Sequence, residues 1–145
     1  MADRMAVLQH GRIHQLGTPQ QVYDYPGNKF CAEFLGLINV LEGRRNGKVW
    51  QCALGDVPAQ FRSDGAAREL GVIRPERIKL VAPDTPGALA GQIRQGTFLG
   101  ECWLWQVDCR GVTLTVRESA GPMRTCQDTV GVYLEPGFFQ VIPEE

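Results

Sequence analysis

No two cysteines in this sequence form a C-x-x-C pair, although the chain has five: Cys31, Cys52, Cys102, Cys109 and Cys126. An odd, scattered set without histidines at zinc-finger spacing offers neither a disulfide framework nor a structural zinc site. Such thiols are expected to be small core residues in a reducing compartment. Charge of one sign is also missing, since 15 Lys and Arg against 16 Asp and Glu leave a net charge of -1. Nucleic-acid-binding domains usually carry a strong positive excess, so a generic DNA or RNA binder is disfavoured. No apolar run approaches the ~20 residues needed to span a bilayer, and no secretory leader opens the chain. No asparagine stands in an N-x-[ST] acceptor. These absences lead us to expect a soluble, cytoplasmic chain. Its 145 residues make one domain, or one domain with an appendage, and can form a core without staples.

Beyond residue 36 there is little helical periodicity. Before it, Met5 to Leu8 and Ile13 to Leu16 are apolar-biased runs around Gln9-His10-Gly11-Arg12, a hairpin signal with Gly11 available for a positive φ. Thr18-Pro19 reads as an N-cap and first helical residue opening a short helix through Tyr23, which Pro26-Gly27 stops. Asn28 caps a second helix whose apolar residues fall in the i, i+4 pairs Phe30/Phe34 and Cys31/Leu35, with Gly36 at its C-terminal end.

Strands are predicted over Leu37 to Leu41, Val49 to Leu54 and Ala59 to Phe61, with Gly43 to Gly47 as a turn. Gly71 to Ile73 is a buried strand, broken by Arg74-Pro75-Glu76 because proline has no N–H for a ladder and pushes its predecessor into an extended conformation. A half-buried strand follows, with Ile78 and Leu80 opposite Arg77 and Lys79. Further strands are predicted over Ala90 to Leu99, bent at Gly96 and Gly100, and over Glu101 to Cys109 and Val112 to Arg117 around an Arg110-Gly111 turn. Val130 to Leu134 and Phe138 to Ile142 end the chain. Short strands with Gly/Pro punctuation give a mainly β fold, a small OB-like antiparallel barrel from about residue 37. The preceding segment is too small to fold alone, so it is expected to be a fragment that packed on something else.

Catalytic chemistry is hard to find. Gly43 to Lys48 fails as a phosphate loop, because the glycines are one residue too close and Val49 stands where a hydroxyl must bind Mg²⁺. His10 and His14 lie on a hairpin with no glutamate between them, Ser63 and Ser119 lack a nucleophile elbow, and no carboxylate pair is patterned for acid/base work. Catalytic, cofactor and metal residues are therefore expected to be absent. Trp103 and Trp105, on one strand face with Val107 and Cys109, either fill the core or an interface or form a base-stacking platform. Arg74 and Glu76 either solvate the corner between two strands or serve recognition.

Taken together, Ala2 to Leu8, His10-Gly11-Arg12-Ile13, Gln15, Gly17-Thr18-Pro19, Val22-Tyr23, Pro26, Phe30, Ala32-Glu33-Phe34 and Gly36 resemble the end of the nucleotide-binding domain of ATP-binding-cassette importers. The closest subfamily serves polyamines, ferric iron, sulfate, phosphonates and sugars. From Leu37 on, Ile73-Arg74-Pro75-Glu76, Phe98-Leu99-Gly100 and the last strands look like the transport-associated OB (TOBE) domain that follows it there. The resemblance implies residues 1–36 as a remnant of the ATPase domain and 37–145 as a regulatory barrel. The barrel is expected to pair with its copy on the cytoplasmic face of the membrane, in an ATPase that works with permease subunits and answers to a small-molecule or protein regulator. ATP and Mg²⁺ belong to the parent; the family's phosphate loop, signature loop, acidic strand and switch histidine lie upstream of the first residue, so this chain is expected not to be an enzyme. Interface or effector candidates are Arg74, Glu76, Arg94, Trp103, Trp105, Phe138 and Phe139. A rival reading is an oxyanion or small-ligand sensor using backbone N–H groups near Gly96 to Gly100 with Arg94 or Arg74. No nucleic-acid partner is expected.

Overall fold

His10 and Gly11, at φ 49° and 75°, close the first hairpin in the computed structural model of the chain. The structure describes residues 3–63, 65, 68–121 and 123–145; Ala2, part of the resemblance above, lies outside them. The hairpin strands are β1 (Met5–Gln9) and β2 (Arg12–Gly17). Thr18 caps α1 (Pro19–Asp24) in a reciprocal capping box with Gln21, and the Asn28 side chain caps α2 (Lys29–Phe34). Val7, Val22 and Cys31 are fully buried and form a small core between hairpin and helices. The opposite face of the hairpin leaves Leu8, Ile13 and Leu16 exposed.

The strands after the helices are β3 (Asn39–Leu41), β4 (Gly43–Asn46), β5 (Val49–Cys52), β6 (Gly55–Pro58), β7 (Gln60–Phe61) and β8 (Glu69–Ile73). A 3-10 turn at Pro75–Arg77 leads to β9 (Ile78–Val81), β10 (Leu89–Phe98), β11 (Cys102–Cys109), β12 (Val112–Ser119), β13 (Thr129–Leu134) and β14 (Gln140–Pro143). The mainly β class expected from the sequence is what forms. Besides the hairpin there are a five-stranded antiparallel sheet (β12-β11-β10-β13-β9), a four-stranded sheet (β3-β8-β14-β7) and a three-stranded meander (β4-β5-β6). β12 packs on the 3-10 turn and on β9, so the two ends of the largest sheet approach each other.

Three local expectations are corrected. The predicted turn at Gly43 to Gly47 is mostly strand: Arg44 and Arg45 pair with Gln51 and Trp50, and the reversal shrinks to Gly47-Lys48. Arg45 can lie on a strand because its guanidinium stacks 4.2 Å over the Phe61 ring and binds Glu69. The return strand ends at Cys52, and Gly55 at φ 102° starts an unforeseen strand, β6. The region predicted as a third antiparallel strand pairs parallel to β14 through Gln60 and Phe61. β10 shifts register between Ile93 and Gln95 and ends at Phe98, just before Gly100 at φ 93°. Gly96 lies flat opposite Trp105, where a Cβ would come within 2.3 Å of the indole ring.

The main core runs across the three larger sheets and includes Trp50, Ile73, Ile78, Ile93, Trp105, Val107, Leu114 and Phe139. Gly71 is needed where Phe139 and Trp50 meet, since a Cβ would stand 2.6 Å from Phe139 Cζ. Asn39, on β3, is buried against β12, the edge strand of the largest sheet. Its Oδ1 accepts from Thr115 N–H at 2.8 Å and its Nδ2 donates to Thr115 C=O at 2.9 Å. One side-chain amide thus satisfies both backbone groups of a residue on an edge strand, groups that otherwise invite another chain to pair.

Candidate functional site

The corner between β8 and β9 does not solvate itself, as exposed charges on a loop do; Arg74 is only 6% exposed. The chain enters it extended, with Arg74 at φ -71° and ψ 145°, and Pro75 starts the 3-10 turn. That conformation turns the Arg74 side chain back under the two N-terminal helices. Its Nη1 donates to the carbonyls of Ala32 at 2.7 Å and Leu37 at 3.1 Å, with Gly36 at 3.4 Å, and Nη2 donates to Tyr23 C=O at 3.2 Å. These acceptors lie at or beyond the C-terminal turns of α1 and α2, where carbonyls have no intrahelical donor. One guanidinium therefore ties off both helix ends, a task that suits its planar array of donors. Its Nε has no hydrogen-bond partner.

The Tyr23 ring covers the Arg74 guanidinium at 4.2 Å, and the Tyr23 hydroxyl donates to Glu76 Oε2. Burial, then the Glu76 hydrogen bond and charge, push the Tyr23 phenol up to about 12. Burial pushes the Arg74 guanidinium down from its ordinary value, partly offset by Tyr23 and Glu76. Arg62 makes a second contact of the same kind beside this one. Its guanidinium lies 4.3 Å over the Tyr25 ring, and its Nε donates to Gln140 at 3.0 Å. Between them Ala32, Val72 and Ile142 form a separate buried cluster with Ile38 against it. The corner is thus a seam joining the hairpin–helix segment to the strands.

Of the residues singled out from the sequence, Arg74, Glu76 and Phe138 come together here: Arg74 and Phe138 line one recess with Tyr23. The Phe138 ring carries the Arg77 guanidinium at 3.7 Å, which also faces Glu135. Phe139 and Trp105 are each 2% exposed and belong to the core. Trp103 stacks on Trp105 at 4.7 Å and meets Phe98 at 5.0 Å, so one face of each indole is taken up by the other, and the buried Trp105 offers none to a base. Arg94 is engaged elsewhere, with Nε 2.5 Å from Asp108 Oδ2. Arg74 is thus committed to the seam, whereas Arg94 stays half exposed beside Asp108. Sequence reasoning missed Tyr23, Tyr25 and Arg62 as seam residues; the spacing of Tyr23 from Pro19 hinted only at a helix end.

Among the described residues no group of three or more His, Cys, Asp or Glu converges as a metal site, and no helix is long and apolar enough to cross a membrane. Residues 71–142, which begin at the buried strand before this corner, match the family model of the TOBE domain. The chain carries a TOBE domain. It is 35% identical over 133 residues to a spermidine/putrescine import ATP-binding protein of Pseudomonas aeruginosa, covering 86% of this chain and 36% of that protein. A sulfate/thiosulfate import ATP-binding protein of Burkholderia mallei is 36% identical over 101 residues, 69% of this chain and 29% of its own length. An Fe(3+) ions import ATP-binding protein of Haemophilus influenzae is 31% identical over 136 residues, 92% and 39% of the two chains. This chain therefore spans less than half the length of these curated relatives. The TOBE match begins in β8 and takes in the Arg74 corner, whereas Tyr23 and Ala32, which that corner holds, lie outside it.

Proposed function

We propose that this chain is the C-terminal regulatory and pairing part of the ATP-binding subunit of an importer. In this reading residues 1–36 end the ATPase domain and 37–145 form the regulatory unit. The observation that carries it is the Arg74 seam, a buried guanidinium in the TOBE domain that holds two helix ends of the preceding segment. A rigid joint of this kind lets displacement of one part move the other. Binding of a regulator, or pairing of two copies about a two-fold axis, then biases the spacing of the two ATPase halves to the extent that it favours one spacing over the other. ATP, Mg²⁺ and contact with permease subunits belong to the rest of that subunit, which would hold this part at the inner face of the membrane. Exposed Leu37 and Leu99, beside a recess of about 190 Å³ that Glu76 and Arg117 also line, offer apolar contact area for a partner. Sedimentation equilibrium of the chain over a wide concentration range tests the pairing. The expected result is a reversible dimer; a strict monomer at the highest soluble concentration contradicts it.

A further inference from the structure

A second cavity opens on the far side of the Phe138 turn from the Arg74 recess. It is a cleft of about 460 Å³ where β6 of the three-stranded meander faces β13 of the large sheet. The two strands are not paired, and the gap between them is bounded by the turns that carry Gly87 and Gly137, both at positive φ. Leu54, Val57, Leu89, Val132 and Leu134 give it an apolar floor. Its size falls within the ~300–1,000 Å³ of small-molecule sites, which pair a mainly apolar lining with a few polar groups that fix orientation. Three charged residues take part in the lining: Lys48, Asp56 and Glu135. The carboxylates outnumber the cation. Glu135 is shared: its Oε2 is buried and ion-paired with Arg77 Nη1 at 3.6 Å without a hydrogen bond, while Asp56 is exposed at the cleft.

From the apolar floor and this charge balance we infer that the cleft between β6 and β13 binds an organic amine with a bulky apolar or aromatic body. The body occupies the floor, and the ammonium lies toward the exposed Asp56. A compact oxyanion would meet mostly apolar carbon and two carboxylates against the single Lys48 ammonium. The site stands on the cleft alone and does not depend on the pairing proposed above.

A probe series of constant body and changing charge tests it: tryptamine, indole and indole-3-acetate, titrated into the methyl-labelled full chain and followed by NMR. Saturable shifts are expected at the Val57, Leu89, Val132 and Leu134 methyls, with affinity falling from tryptamine to indole to indole-3-acetate. Asp56 is exposed, so Asp56→Asn leaves the fold intact. It should weaken tryptamine about threefold, as expected for one exposed charge contact, and leave indole unchanged. Ala59→Phe, which fills the cleft, should abolish binding of all three; if that variant fails to fold, Asp56→Asn alone carries the test. No saturable shift with tryptamine, equal affinity for tryptamine and indole, tightest binding of indole-3-acetate, or an equal effect of Asp56→Asn on all three probes would overturn the assignment.

Discussion

The segment before residue 37 and the strands after it are held together in different ways. The strands share one continuous apolar core from Leu41 to Val141, with Trp50, Trp105 and Phe139 at its centre. Among the described residues of the hairpin and helices, Val7, Val22 and Cys31 form a small core of their own, and the segment is tied to the strands by directional polar contacts from Arg74, Arg62 and Glu76 and by one small apolar cluster, Ala32 with Val72 and Ile142. Apolar burial is non-directional and spread over many groups, so losing one contact weakens the whole. A hydrogen-bonded clamp is concentrated in few atoms, and losing it releases one part. The strands should therefore unfold as a unit, and the hairpin–helix segment should be able to open first.

The largest expected effect comes from attacking the core. Phe139→Ala leaves a cavity beside Gly71 and Trp50 and should cost ~3–5 kcal/mol of global stability, read from denaturant unfolding with every probe moving together. Arg74→Ala comes next, at ~2–4 kcal/mol, because the buried Ala32 carbonyl and the part-buried carbonyls of Tyr23 and Leu37 lose their charged donor. It should produce two transitions where the Phe139 variant gives one. Arg74→Lys keeps the charge but not the planar reach across both helices, and should recover only part of the loss.

Asn39→Ala removes two hydrogen bonds to Thr115 and should cost ~1–3 kcal/mol. It also bares the edge of β12, so its mark should be concentration-dependent association in light scattering. The smallest effect is at alkaline pH. The Tyr23 phenol, held at about 12 in the folded chain against 10.0 ordinarily, keeps its proton more tightly when folded, so this contribution to stability is full below pH 10 and falls between pH 10 and about 12. Tyr23→Phe should remove that decline, and Glu76→Gln should bring the phenolate absorbance transition to lower pH.

Much of this frame was legible in the residues. The His10-Gly11 and Arg110-Gly111 turns, the Thr18 and Asn28 caps and the alternation through Val112 to Val116 each carry their own local instruction. What was not legible depended on distant partners. Arg45 reads as a turn residue until Phe61 and Glu69 are placed beside it. Gly55–Pro58 has too little side-chain pattern to announce a strand, and forms one because β5 supplies the ladder. Arg74 looked like a surface charge because its acceptors Ala32 and Tyr23 are 42 and 51 residues away in the chain.

Arg74 acts as a clamp between two parts of unequal cohesion. Native-state hydrogen exchange on the wild-type chain and Arg74→Ala, compared amide by amide, tests this most directly. The clamp predicts that protection falls sharply in β1, β2, α1 and α2 while β10 to β13 keep theirs. Equal loss of protection across both regions, or no loss in the hairpin and helices, would contradict it.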